Sequence, residues 1–321
     1  MIVPQMRDYD ELGSHQEWVP HLMYFQPRNA VYNSVTTDDR GMRTTVSNHN
    51  NSLSTALLIG GSSVFGIGAT SDAATIPSRL NTLTEHNWLN LGGRAFNSTQ
   101  EALLVHLSNF DKITGPIVVM SGINNLTRAL MPGSFSPMYG AFFQQSFFEQ
   151  QMKSAAVGNR ALVRLILTGI LERLRRSAKN TTPTQAHTSN GDSYASMLTV
   201  FQRDCKYLQM IAKHHGTTTT FVLQPFIPWL RKNLSGEEMQ LFALLDNEAS
   251  DFARILDVLA QHKDQYRKDI QSICEKVGMR FLDLNNPGEL EQSNWLFVDR
   301  AHFTDLGNDT VAKLLVRDLS L

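Results

Sequence analysis

Two serines, Ser62 and Ser63, stand in the stretch LLIGGSSVFGIG (Leu57–Gly68), where an apolar run ends among four glycines. Glycines let a backbone turn sharply and let a substrate carbonyl come close, so a serine held there is a candidate nucleophile. A hydroxyl needs a base to take its proton as it attacks. Near the other end of the chain, FVDRAHFTDLGN sets Asp299 three residues before His302, with a helix start close behind. An imidazole can take the serine proton and later hand it to a leaving alkoxide, and a carboxylate at that spacing can fix its tautomer. In SGINNL, Asn124 and Asn125 follow a turn expected at Gly122. A side-chain amide there can donate to a developing oxyanion.

Each feature has a plainer alternative. The glycines could form an ordinary tight turn. Asn124 could form an Asx-turn or cap a helix, and His302 could be a surface histidine beside a solvated aspartate. Asp305 and Asp283 are alternative carboxylates for the histidine. A phosphate loop is disfavoured, because Gly61 to Gly66 has the glycine spacing but Ile67 stands where a lysine is needed. The dinucleotide fingerprint G-x-G-x-x-G is also not matched.

The elements that must carry these residues follow from the apolar pattern. Five short, nearly continuous apolar runs are predicted as strands: Thr55–Gly61, Asn87–Gly93, Gly115–Gly122, Thr217–Pro225 and Met279–Asn285. Such runs suit parallel strands covered on both faces. Helical patterns lie between them. TIPSRLNTL has Thr75 as cap and Pro77 in its first turn, and STQEALLVHLSNF offers Ser98 as cap with Glu101 three residues on. A long helix is expected to begin near Tyr194 and stop at Gly216, with two more at KDQYRKDIQSICEKVG and TDLGNDTVAKLLVRDL. Strands alternating with helices predict an α/β fold, a three-layer sandwich around a five-stranded parallel sheet. In such sheets ligands bind beyond the carboxyl ends of the strands, which is where Ser62, Asn124 and the Asp299/His302 pair fall.

Two regions exceed that plan. Residues 1–50 read as an N-terminal extension packed on the core domain of residues 51–321. About 127–192 reads as a helical insertion or lid between the third and fourth strands. The aromatic-rich 135–148 segment could cover an acyl chain or simply pack on the core. The basic cluster Arg173, Arg175, Arg176 and Lys179 suits a solvated helix face better than an anionic partner. The run TTPTQAHTSNGDS looks like a loop.

The 321 residues carry 29 basic and 30 acidic side chains, which gives no global electrostatic case for nucleic acid or an anionic membrane. The cysteines, Cys205 and Cys274, lie in unrelated sequence settings and form no C-x-x-C pair, so neither a disulfide framework nor a zinc knuckle is expected. There is no H-E-x-x-H pattern, and His214-His215 suits a helix C-terminus; no metal and no cofactor is expected. The start, MIVPQMRDYDELG, lacks a basic, apolar leader, and Ala161–Leu171 is too short to span a bilayer. A soluble, cytoplasmic protein is the expectation, although a chain trimmed of its leader would look the same.

At this point the sequence resembles the SGNH (GDSL-type) hydrolases, whose blocks occur in order as GGSSVFG, NLGGRAFNSTQE, SGINN and DRAH. The resemblance covers residues 55–126 and 295–318. It implies a flavodoxin-like sheet with Ser62 as nucleophile, His302 as base and Asp299 as orienting acid. It also implies an oxyanion hole made by the Ser62 and Ala95 backbone N–H groups and the Asn124 side chain. Gly61 and Asn125 replace aspartates of the family pattern, and Ala95 replaces a glycine. Ala95 keeps its role only where positive φ is not demanded; Gly92 or Gly93 would supply the donor in another register. The implied activity is hydrolysis of an O-acetyl or other short-chain ester through an acyl-enzyme, on a small acyl ester, acylated sugar or lipid-like substrate. An acyltransferase with the same triad and a non-catalytic binding protein are the alternatives.

Overall fold

A computed structural model describes residues 2–47, 54–131, 135–136, 138–154, 190–248, 250–286 and 288–321. Five strands, β1 (Ser54–Gly60), β2 (His86–Gly92), β3 (Ile117–Ser121), β4 (Thr219–Leu223) and β5 (Arg280–Asp283), form one sheet in the order β2-β1-β3-β4-β5. Every neighbouring pair is parallel. All five predicted strands are present, each trimmed at one or both ends, because the flanking glycines and polar residues belong to the turns. The order reverses at β1, so a crevice opens where the connections from β1 and β3 diverge.

Alternate side chains of the apolar strands supply two separate cores. Leu57, Ile59, Ile117, Val119 and Phe221 pack on one face, beneath α4 (Ser98–Leu107), α7 (Asn190–His215) and α10 (Lys263–Val277). Leu58, Val118, Met120 and Val222 pack on the other, against α3 (Ile76–Leu83), α8 (Gly236–Glu248) and α11 (Asp305–Leu319). The expected three layers are therefore observed. Burying both faces explains why the strands read as unbroken apolar runs.

Helix boundaries differ from expectation in two places. Asn97, not Ser98, caps α4: its side chain accepts from Gln100 N–H while Gln100 reaches back to the Asn97 N–H. Asn97 to Gln100 and Ser98 to Glu101 have equal spacing, and the chain uses the amide pair because the Glu101 side chain points into the core. Helix α7 begins at Asn190, inside the polar run expected to be a loop, with Asp192 in its first turn favouring the helix dipole. Thr75 caps α3 as predicted, and Gly216 follows α7 with φ of +69°.

Among the longer helices, α1 (Met6–Ser14), α8 and α9 (Ser250–Gln261) have no counterpart in the sequence reading, and α5 (Ile123–Leu130) begins before the expected insertion. Between β3 and β4 lie α5, helical residues 145–154 (α6) and α7. The whole span between α6 and α7, residues 155–189, with its basic cluster at 173–179 and the apolar 161–171 run, lies outside the described residues. Cys205 and Cys274, distant in sequence, meet between α7 and α10 as free, buried thiols, and burial pushes the Cys205 thiol well up. No helix among the described residues is long and apolar enough to cross a membrane.

Candidate active site

Strand β1 ends at Gly60, where a Cβ would lie 2.2 Å from the Met120 carbonyl oxygen on β3. The chain then turns at Gly61 into a four-residue helical turn, α2 (Ser62–Phe65), closed by Gly66 at φ +90°. Gly61 itself is extended, at φ −83°. The left-handed backbone that requires glycine therefore lies after α2, not before it. Tyr9 and Arg43 secure that end. The Tyr9 hydroxyl shares its proton between the carbonyls of Gly66 and Ala69, at 2.9 and 2.7 Å. Buried Arg43 donates to the Gly66 carbonyl at 2.8 Å and pairs with Asp72 at 2.8 Å.

Ser62, the first residue of α2, donates its hydroxyl proton to His302 Nε2 at 2.7 Å. His302 Nδ1–H donates to Asp299 Oδ2 at 2.6 Å, and Asp299 Oδ1 accepts the Ala301 and His302 N–H groups, each at 2.8 Å. Partial burial pushes the Asp299 carboxyl up, but the His302 charge and these hydrogen bonds outweigh it and hold the group below its ordinary value. The other carboxylates are engaged elsewhere. Asp283 accepts from Asn285 and Asn286 at the end of β5, and Asp305 accepts from Thr70.

In the same cavity, the Asn124 side-chain amide donates one proton to the Phe96 carbonyl at 2.8 Å. That bond fixes the amide and leaves its second N–H for the cavity. Gly92 N–H donates to Asn90 Oδ1 and Gly93 N–H to the Gly60 carbonyl, so both alternative backbone donors are occupied. Among the described residues no acceptor takes the Ser62 or the Ala95 N–H. Ala95 has φ of +55°. The position does take the left-handed region, which corrects the expectation that Ala95 would keep a donor role only at negative φ. Alanine adopts this backbone at a cost of about 1–2 kcal/mol, and its N–H still has no acceptor among the described residues. Asn125 faces away from the cavity, exchanging hydrogen bonds with Ser98 N–H and Oγ at 2.9 and 2.7 Å and joining α5 to α4.

Ser62, Ala95, Asn124 and His302 line one cavity of about 500 Å³. A larger one, about 910 Å³, lies by α4, α6 and α7, with Leu103, Phe142, Phe148 and Met152 in its wall, and holds none of these groups. The aromatic segment divides between roles. Phe135 is buried in the core, Phe143 lines the smaller cavity, and Met138 and Tyr139 are exposed.

No family model matches the chain, and no curated protein matches it. Among solved structures, it is similar to an α/β hydrolase from the metagenome of Lake Arreo, Spain, with TM-score 0.45 and 13% identity, covering 83% of this chain and 95% of that one. An acetylxylan esterase from Geobacillus stearothermophilus gives TM-score 0.43 at 13% identity, over 84% and 94% of the two chains. A putative lipolytic protein of the G-D-S-L family from Desulfitobacterium hafniense gives TM-score 0.44 at 10% identity, over 82% and 98%.

Two supporting groups were not anticipated. Ser63 donates to the Ala301 carbonyl at 2.9 Å and accepts from Gln224 at 3.2 Å, tying the Ser62 turn to the histidine loop. Glu238, fully buried, accepts from the N–H groups of Leu296 and Phe297 at 3.0 Å and anchors the approach to Asp299. The S-x-x-E spacing of Ser235 and Glu238, a capping box at the start of α8, was the available signal.

Proposed function

We propose that the chain is a serine-dependent acyl-ester hydrolase of the SGNH type, acting on a short-chain ester through an acyl-enzyme. The observation that carries this reading is the continuous hydrogen-bonded chain Ser62–His302–Asp299, opening into a cavity that Ala95 and Asn124 also line. Ser62 Oγ attacks the ester carbonyl carbon as His302 Nε2 takes its proton. Asp299 holds the tautomer and stabilises the imidazolium. The carbonyl oxygen, now negative, lies among the Ser62 and Ala95 N–H groups and the Asn124 amide, which are fixed before the charge develops. His302 gives the proton to the departing alkoxide. Water then attacks acyl-Ser62, losing its proton to His302, and the acid leaves with Ser62 restored.

Intact mass after exposure to an organophosphonate serine probe tests the reading. One adduct is expected on the wild type and none on Ser62→Ala, with ester hydrolysis lost in parallel. A folded wild type that takes no adduct overturns it.

A further inference from the structure

The cavity around Ser62 is not chemically uniform, and the strand order explains how. Arg94 follows β2, Ser62 follows β1, Asn124 follows β3 and Phe226 follows β4. In this sheet those strands stand in the order β2-β1-β3-β4, about 4.8 Å apart. Ser62 is therefore flanked by a charged side at β2 and an apolar side at β4. Asp10, Gln16 and Arg94 line the first; Phe226, Leu256 and Leu259 line the second.

Arg94 is half-buried beside Ala95, and burial lowers its pKa. Its NH1 donates to the Tyr9 carbonyl of α1, so a neutral backbone group holds the guanidinium. Gly13, one turn further along α1, leaves the necessary space: a Cβ there would lie 2.8 Å from Arg94 NH2. Asp10 favours the Arg94 charge from a distance, without a hydrogen bond to it. A guanidinium kept at a cavity wall by a carbonyl retains donors for a bidentate oxyanion.

We infer that Arg94, presented by α1, recognises an anionic oxyacid group, carboxylate or phosphate, on the alcohol half of the ester, while the acyl chain lies toward Phe226 and Leu259. Arg94 is on this account a specificity-determining residue, and the N-terminal segment completes the substrate site. The alcohol half takes the polar side because Gln16 and its partner Gln144, hydrogen-bonded at 2.6 Å, offer further polar groups there. This assignment rests on the hydrolase reading above.

The test compares three chromogenic acetates of one nitrophenol, bearing a carboxamide, a carboxylate or a phosphate at the same ring position. Wild type should show kcat/KM roughly tenfold or more higher on one or both anionic esters than on the carboxamide. The better anion identifies the source. Arg94→Gln should bring that ratio to about one. Asp10→Asn, a change at an exposed site, should raise it by removing an opposing charge, and it decides the matter where Arg94→Gln does not fold. The inference is overturned when wild type shows no anion preference, or when the preference survives in Arg94→Gln, or when Asp10→Asn leaves it unmoved. Phosphonate labelling of Ser62 separates the two levels. A labelled protein with no anion preference loses the Arg94 assignment alone. An unlabelled protein that hydrolyses none of the esters loses the hydrolase reading and this inference together.

Discussion

Asp299 and Glu101 are carboxyl groups of the same chain, and their surroundings drive them in opposite directions. Asp299 is half-buried in a loop and accepts three hydrogen bonds, which keep its carboxylate ionised beside His302. Glu101 is fully buried between α4 and β3, where desolvation lifts its pKa to about 8. It accepts from Ser121 at 2.6 Å through one oxygen, and its other oxygen has no partner. Nearby Asp204, itself pushed up by burial, opposes a second charge further. The difference lies in donors: a loop can turn successive N–H groups toward a carboxylate, while a helix face packed on a strand offers only side chains.

The same isosteric change at each site should separate the two. Asp299→Asn removes the charge and disturbs the histidine tautomer, so kcat on an activated ester should fall roughly ten-thousand-fold with the circular dichroism spectrum unchanged. A fall of less than tenfold would leave Asp299 with a purely structural role. Asn124→Ala takes away the oxyanion donor proposed at that position and should cost about 3 kcal/mol of transition-state stabilisation, read as kcat/KM, without loss of fold.

Glu101→Gln should instead stabilise. The folded protein holds the Glu101 proton to about pH 8, whereas the unfolded chain releases it near 4.5. The native state thus binds more protons across that window, and its stability declines as pH rises from about 4.5 to 8, then levels off. The glutamine variant has no proton to lose. Its unfolding free energy, from urea denaturation, should decline less over that window and exceed the wild type's by up to about a few kcal/mol at pH 9. Equal pH profiles for the two proteins would refute a protonated Glu101. The smallest effect is expected at Ala95. Ala95→Gly relieves the left-handed strain but gains unfolded-state entropy, so urea denaturation should show a net gain below about 1 kcal/mol.

Much of the scaffold could be read from pattern. Runs such as ALLIG and IVVMS are apolar on both faces of a strand, which suits a parallel sheet covered on both sides. The cap at Asn97 was missed by one residue, since two overlapping pairs satisfy the same spacing rule and only the burial of Glu101 chooses between them. Helices α8 and α9 were missed altogether, and α1 went unrecognised inside a segment treated as an extension.

The candidate site divides in the same way. Residue type and local spacing suffice for Ser62 at a strand end and for Asp299 three residues before His302, because a turn of that length brings both side chains to one side. Sequence alone left three carboxylates and three backbone donors in competition, with Ser63 a neighbour of Ser62 rather than a rival. In the tertiary structure the competing groups are engaged in hydrogen bonds elsewhere: Asp283, Asp305, Gly92 and Gly93 each have such partners, as does Ser63. The 240 positions between Ser62 and His302 are closed only when β1 and the C-terminal loop pack together, as is the approach of Tyr9 to Arg94. Local chemistry is written in neighbouring residues; the choice among equivalent groups depends on partners brought from far along the chain.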